Sequence, residues 1–372
     1  MISVVFRIGL IARERTFERG FKGGFPRFSL NIAKAFATHP EIDFSYSFGY
    51  TAEVHEHLLS NQELLFQYLP RAPVKTQVTE KDYLYTPFPE GCFRSHTLSC
   101  KQVMTLHDIS PLIFPEYYFP ELVFEFRKIL KRGLDLPFFF SVSQFTKEAF
   151  CEYFEYPLER VIVTPLAAEG FYPSSEGVDA LIQKYALPYK KYFFSLSPFA
   201  DHKNVQGVLR SFREFLKREK EPEIGLILAG CSRCLDDTEA LECFRLLSDP
   251  LLKKHTILLE TLEEDELRTF YSGAIAFLFP SFAEGFGLPP LEAMACGAPV
   301  ISSNTCSLPE VLGEKAILLS PSDTKTWVNE MQKICKDVVY RESLKQYSLQ
   351  RAGQFSWDRT VNIMVDELKK RY

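Results

Sequence analysis

The residues of this chain best suited to chemistry lie in one stretch, FPSFAEGFGLPPLEAMACGAPVISS, residues 279–303. It reads as a buried strand ending at Phe279, a glycine-rich loop, and a helix whose start is marked by Pro289 and Pro290. Gly285 and Gly287 allow backbone shapes and close approaches that a side chain would block. Such a loop feeding a helix N-terminus presents amide groups and the positive end of a dipole, which suits an anion. Glu292 then falls in the first helical turn, with Glu284 before the helix. A carboxylate beside an anion site does nothing for phosphate itself. Its better use is to accept hydrogen bonds from neutral hydroxyls, such as a ribose diol for Glu292 and a second set of hydroxyls for Glu284. Taken alone, Glu292 is a residue that complements a helix dipole and Glu284 a solvated loop charge; together with the glycines they favour a site.

A second anion-binding element is SLSPFADHKN, residues 195–204, where a strand end at Ser197 and a short turn lead to Lys203 at the start of a helix. A lysine there opposes the dipole by up to about 1 kcal/mol, so an anionic ligand explains it better than a surface role does. The N-terminal half offers GFKGGFPRF, residues 20–28, and TLHDISPLIFPEYY, residues 105–118. Gly23 and Gly24 follow a first strand and precede a helix, an arrangement that lets backbone approach phosphate but is weakly specific. His107 and Asp108 come straight after a strand, at the edge where open α/β sheets bind ligands. A lone His-Asp pair is more commonly a turn with a capping aspartate than a catalytic pair.

The elements that position these residues alternate between short β-type runs and helical periodicity, the pattern of parallel sheets with helices on both faces. In the C-terminal half the strands fall at 192–197, 226–229, 256–259, 275–279, 299–302 and 316–319, with an amphipathic helix over 204–220. In the N-terminal half they fall near 4–11, 42–48, 102–106, 138–142 and 161–164. A boundary lies between residues 171 and 190, where Pro173, Ser174, Ser175, Gly177 and Pro188 cluster. This divides the 372 residues into domains over 1–172 and 173–355, with a last helix over 356–372 that packs back on the first.

Composition narrows the function classes. The chain is 46% hydrophobic and 24% charged, as in an ordinary globular protein, and no apolar run reaches the length of a membrane span. Arg7 interrupts the apolar start, which reads as a strand rather than a signal peptide. A net charge of -5 gives no general attraction for nucleic acid. Nine cysteines, scattered without pairing, fit reduced thiols in a cytoplasm. The CxxC of Cys231 and Cys234 lacks a second pair or a nearby histidine to complete a zinc site, and His55 and His57 read as surface residues. No DxD-type acidic cluster stands in the C-terminal half, so no essential metal and no cofactor are expected. Basic and aromatic residues interleave over 13–28, with Arg13, Arg15, Arg19, Lys22 and Arg27 against Glu14 and Glu18, and again in FEFRKILKRG, residues 124–133; the two readings are a solvated helix end whose charges complement the dipole and, slightly favoured, peripheral contact with an anionic membrane.

Five anchors occur in order: GGFPRF, HDISPLIFPEYY, SVSQFTKEAF with VTPLAAEGF, the Lys203 segment, and EGFGLPPLE with Glu284 and Glu292 at the spacing E-x7-E. In these the chain resembles the retaining GT-B glycosyltransferases of family 4, of the mannosyltransferase-like type that assembles bacterial polysaccharide. The resemblance covers most of the chain. It implies an α/β fold of two Rossmann-like domains with parallel sheets facing across a cleft, the acceptor bound mainly by the first and a sugar nucleotide mainly by the second. It further implies that Lys203 contacts the donor diphosphate, Glu292 the ribose and Glu284 the donor sugar. Ser197, Gly285 and backbone groups at Phe286, Gly287 and Leu288 would line the donor, Gly24 would approach from the other domain, His107 would sit beside the transferred sugar, and Gly23 and Asp108 would face the acceptor. The implied reaction moves a hexosyl group, mannosyl by the HDISPLIFPEYY stretch, to a glycan or lipid-linked acceptor with retention and without metal. Many relatives carry an arginine beside the lysine; here the stretch reads His202, Lys203, Asn204, which leaves phosphate to Lys203 and helix ends. A glycine common before the DEEL-like helix is Glu260 here. The rival readings are a sugar-nucleotide 2-epimerase of the same fold and a non-catalytic sugar-nucleotide-binding protein.

Overall fold

The run Lys191–Leu196, KYFFSL, buries Tyr192, Phe193 and Phe194 in succession, which a strand can do only in a sheet covered on both faces. The computed structural model describes residues 1–7, 24–47, 70–74, 79, 81–87, 101–174, 176–220, 223–230 and 238–371. Their contacts divide into two compact units. The first comprises Met1–Pro115, Phe119–Leu166 and Ser356–Tyr372, the second Glu116–Tyr118 and Ala167–Phe355.

The first unit holds β1 (Ile2–Arg7), β2 (Ile42–Ser47), β3 (Asp82–Thr86), β4 (Lys101–Leu106), β5 (Phe139–Ser141) and β6 (Val161–Val163). They pair in parallel in the order β2-β1-β3-β4-β5-β6. The expected first strand over 4–11 is observed as Ile2–Arg7, and β3 was absent from the sequence expectation altogether. β3 opens on a buried aspartate, Asp82, whose carboxylate accepts from Ser3 Oγ at 2.6 Å, Thr79 N at 2.8 Å and Thr79 Oγ1 at 3.0 Å. Those bonds offset the cost of burying the charge. The last helix, Trp357–Arg371, belongs to this unit and buries Trp357, Val361, Met364, Val365 and Leu368. Tyr83 donates to its Leu368 carbonyl at 3.2 Å, and Lys101 to its Arg371 carbonyl at 3.2 Å.

The second unit holds β7 (Lys191–Leu196), β8 (Ile224–Ala229), β9 (Thr256–Leu259), β10 (Ala276–Phe279), β11 (Val300–Ser303) and β12 (Ile317–Leu319), all parallel, in the order β12-β11-β10-β7-β8-β9. Read from β9, this is the 3-2-1-4-5-6 order of a doubly wound sheet. The order reverses between β7 and β10, and this switch point, at the carboxyl edge of the strands, is where such sheets bind ligands. The helix Val205–Arg218 covers one face with Val208, Leu209, Phe212, Phe215 and Leu216, which pack on Phe193, Leu226 and Leu278.

Candidate active site

The loop after β7 begins at Ser197, whose amide donates to the Ala229 carbonyl at 3.0 Å and whose hydroxyl donates to the Leu196 carbonyl at 2.7 Å. It then makes a 3-10 turn, Asp201–Lys203, and reaches Asn204 in the left-handed region at φ 53°. Asn204 caps the following helix by accepting from the Gly207 amide at 3.2 Å. Its amide nitrogen donates to the carbonyls of Pro280 at 3.1 Å and Pro321 at 3.0 Å. Lys203 was expected at the helix start but ends the turn before the cap, because the cap needs the side-chain oxygen of Asn204. From there its ammonium lies 2.6 Å from Oε1 of Glu284 and 5.8 Å from the ring centroid of Phe279.

Glu284 stands in the loop after β10 and is only 8% exposed. The same loop is fastened to the lysine turn, for Phe282 N donates to the His202 carbonyl at 2.7 Å and Ser281 Oγ to the same carbonyl at 2.9 Å. Gly285 and the buried Phe286, whose ring lies 6.0 Å from that of Phe355, lead to Gly287. Gly287 caps the helix Leu288–Ala295 at φ 92°, and a Cβ there would stand 2.5 Å from Leu308 Cδ2, so the position requires glycine. Because this left-handed residue starts the helix at Leu288, ahead of the proline pair, Glu292 falls in the second turn and not in the first as expected. It is 1% exposed and accepts from the Tyr271 hydroxyl at 3.4 Å, so it is no solvated dipole partner. Its charge, after burial, helps push the Cys296 thiol up to about 12.

Glu116–Tyr118 adds two aromatic contacts to this unit: Tyr117 stacks on Phe282 at 5.2 Å and Tyr118 on His202 at 5.1 Å. Burial and then the Lys203 charge hold His202 down at about 4 against the pull of Glu284, so the imidazole is neutral beside the ammonium. Sequence reasoning missed Asn204, Ser281, Ser303, Thr305 and Ser307, whose side chains bind the carbonyls that shape these loops. The density of hydroxyl residues in VISSNTCS, residues 300–307, was the available signal.

In the first unit, His107 follows β4 and its Nε2 lies 2.8 Å from the Pro87 carbonyl. A carbonyl only accepts, so Nε2 carries the hydrogen. The ring meets Phe28 edge-on at 4.4 Å, and burial lowers its pKa to about 4 despite the Pro87 bond. Asp108 forms a turn, with Oδ1 accepting from Ile109 N at 2.7 Å, Ser110 N at 2.8 Å and Ser110 Oγ at 2.5 Å. Gly24 opens the helix Gly24–Thr38. Gly23, the CxxC of Cys231 and Cys234, His55, His57 and most of the basic 13–28 segment lie outside the described residues. Among the described residues no group of three His, Cys, Asp or Glu side chains could hold a metal ion, and no helix is long and apolar enough to cross a membrane.

The family "Glycosyl transferases group 1" matches residues 178–351, a span that includes Lys203, Glu284 and Glu292. O-antigen chain mannosyltransferase B of Escherichia coli is 29% identical, over 93% of this chain and 96% of its own length. The serotype-specific mannosyltransferase WbdA of Escherichia coli is 30% identical over 75% of this chain, which spans only 35% of that longer protein. Among solved structures, Anabaena HepE in complex with UDP and glucose superposes with a TM-score of 0.74 at 16% identity over the whole of both chains. Residues 178–351 thus match the glycosyl transferases group 1 family, and the chain has the GT-B fold.

Proposed function

We propose that this enzyme moves a mannosyl group from GDP-mannose to a hydroxyl of a glycan or lipid-linked acceptor, with retention at the anomeric carbon and without an essential metal. The carrying observation is the pairing of Lys203 with Glu284 at the switch point, beside the capped start of Leu288–Ala295. Lys203 and the amides of Gly287 and Leu288 supply positive charge for a departing diphosphate. Glu284 supplies an acceptor for sugar hydroxyls and the buried Glu292 one for the ribose. In the reaction, the bond from the anomeric carbon to phosphate oxygen breaks as the acceptor oxygen attacks from the same face, and the acceptor proton passes to the leaving phosphate. No enzymic nucleophile is required. Preorganised donors of this kind contribute roughly 3–4 kcal/mol each to the barrier. The names of the relatives support mannose as the sugar and a polysaccharide as the product.

The experiment is transfer from labelled GDP-mannose to glycan and lipid-linked acceptors in excess EDTA, with the new linkage read by NMR. An α-linked mannose formed under EDTA is expected. Abolition by EDTA with rescue by Mn²⁺ overturns metal independence. Conversion of the sugar nucleotide without acceptor makes the protein an epimerase, and binding without turnover makes it a carrier.

A second element of the proposal is peripheral contact with an anionic membrane at the inner face. The helix Pro120–Arg132 buries Leu130 and packs Val123 and Phe126 on the core of the first unit. An exposed flank of the helix carries Phe124, Arg127, Lys128 and Lys131, spaced i, i+3, i+4 and i+7, which combines an aromatic ring with three basic side chains, Lys128 being paired with Glu125 at 3.3 Å. Phe119 and Phe124 are each 65% exposed and Leu122 is 46% exposed, a concentration of apolar surface that a lipid interface would cover.

A further inference from the structure

We infer that Ser307 is a positioning residue for Glu284, holding its backbone so that the carboxylate meets the donor sugar; this rests on the role proposed for Glu284. β10 and β11 are paired with Phe279 beside Ser302, so the chains leaving them run side by side. The first loop turns its carbonyls toward the second, and the second answers with side chains. The hydroxyl of Ser303 donates to the Ser281 carbonyl, Thr305 Oγ1 donates to it at 3.0 Å, Cys306 Sγ lies 3.5 Å from the Phe282 carbonyl, and Ser307 Oγ donates to the Glu284 carbonyl at 2.8 Å. Ser303 and Ser307 are fully buried, so water does not compete for these bonds. Cys306 adopts φ 52°, a left-handed shape that a side-chain-bearing residue rarely takes, and in doing so it sets Ser307 next to Glu284.

Glu284 is thus held at two points, its carboxylate by Lys203 and its carbonyl by Ser307. A diphosphate that draws Lys203 to itself competes for the first. The bond to Ser307 is untouched by that exchange and keeps the carboxylate aimed while it changes partner from ammonium to sugar hydroxyl. The device acts on recognition of the sugar and not of the nucleotide, because the bond from Ser307 is made to Glu284 itself, whereas Asn204, next to Lys203, donates to the carbonyls of Pro280 and Pro321.

Calorimetric titration of the full chain with GDP-mannose and with GDP, for the wild type, Ser307→Ala and Glu284→Gln, tests this. Ser307→Ala is expected to lower affinity for GDP-mannose and turnover about tenfold, as for a misplaced binding group, while GDP affinity stays within about twofold. Glu284→Gln is expected to show the same selectivity. If Ser307→Ala does not fold, Ser307→Cys, nearly isosteric with a weaker donor, carries the test with a smaller selective loss. Equal loss for both ligands, or loss for neither, in a folded Ser307 variant overturns the inference alone when Glu284→Gln remains selective. A Glu284→Gln variant that treats the two ligands alike overturns the inference together with the role proposed for Glu284.

Discussion

Lys203 Nζ and Glu284 Oε1 stand 2.6 Å apart with their side chains 20% and 11% exposed, so each is the other's counter-charge in a largely dehydrated setting. A ligand that takes the ammonium must bring its own negative charge, as a diphosphate does. Lys203→Ala and Glu292→Gln are therefore expected to weaken GDP-mannose binding by about 1.5–3 kcal/mol each, a factor of about 10 to 150. Titration alongside circular dichroism checks this. Wild-type affinity in both folded variants would falsify the site.

Gly287 is expected to tolerate no side chain. Gly287→Ala places a Cβ at φ 92° and 2.5 Å from the buried Leu308, with an expected loss of about 1–3 kcal/mol in urea unfolding. Gly353→Ala is the control: Gly353 has φ -64° and the nearest contact of an added Cβ is 3.4 Å, so its unfolding midpoint should barely move. Equal effects at the two positions would remove the conformational argument.

The two neutral histidines give a pH signature. His107 and His202 both titrate near 4 when folded and near their ordinary 6.5 when unfolded. Between those values the unfolded chain binds more protons, so the stability tied to them is complete above about 6.5 and lost as pH falls toward 4. Urea midpoints measured across this window should fall for the wild type and fall less for His107→Asn and His202→Asn. An unchanged slope in both variants would assign the acid sensitivity elsewhere.

Membrane contact is expected to depend on charge and on the exposed ring together. Flotation should recover the protein with vesicles rich in phosphatidylglycerol and not with phosphatidylcholine alone. Lys128→Glu combined with Lys131→Glu, or Phe124→Ser, should lower recovery several-fold. Equal recovery with both vesicle types, or none with either, rules the contact out.

Much of the second unit was legible because its strands are apolar runs bounded by turn residues. The expected 256–259 is the observed Thr256–Leu259, and Gly287 with Pro289 and Pro290 announced the helix carrying Glu292. What escaped depends on neighbours distant in sequence. β3 has no place among the expected strands, for it opens on Asp82, and the Ser3 hydroxyl that helps satisfy that carboxylate is 79 residues away. The register of Glu292 turned on the φ of Gly287, and the hydroxyls of Ser303, Thr305 and Ser307 gain their purpose only once β10 and β11 lie side by side. Side-chain type is written in the sequence, whereas the carbonyl it will serve is set by strand pairing.

The helix Trp357–Arg371 has a consequence for the order in which the protein is made. It supplies Trp357, Val361, Met364, Val365 and Leu368 to the first unit, yet it follows the whole of Ala167–Phe355 in the chain. Domains that emerge first commonly fold first. Here the first unit waits, lacking one wall of its core, until Trp357–Arg371 emerges, while Ala167–Phe355 has already emerged as one continuous stretch. A nascent chain stalled before Trp357 would thus carry a nearly finished second unit and an unfinished first one, and that first unit is the natural client for a chaperone.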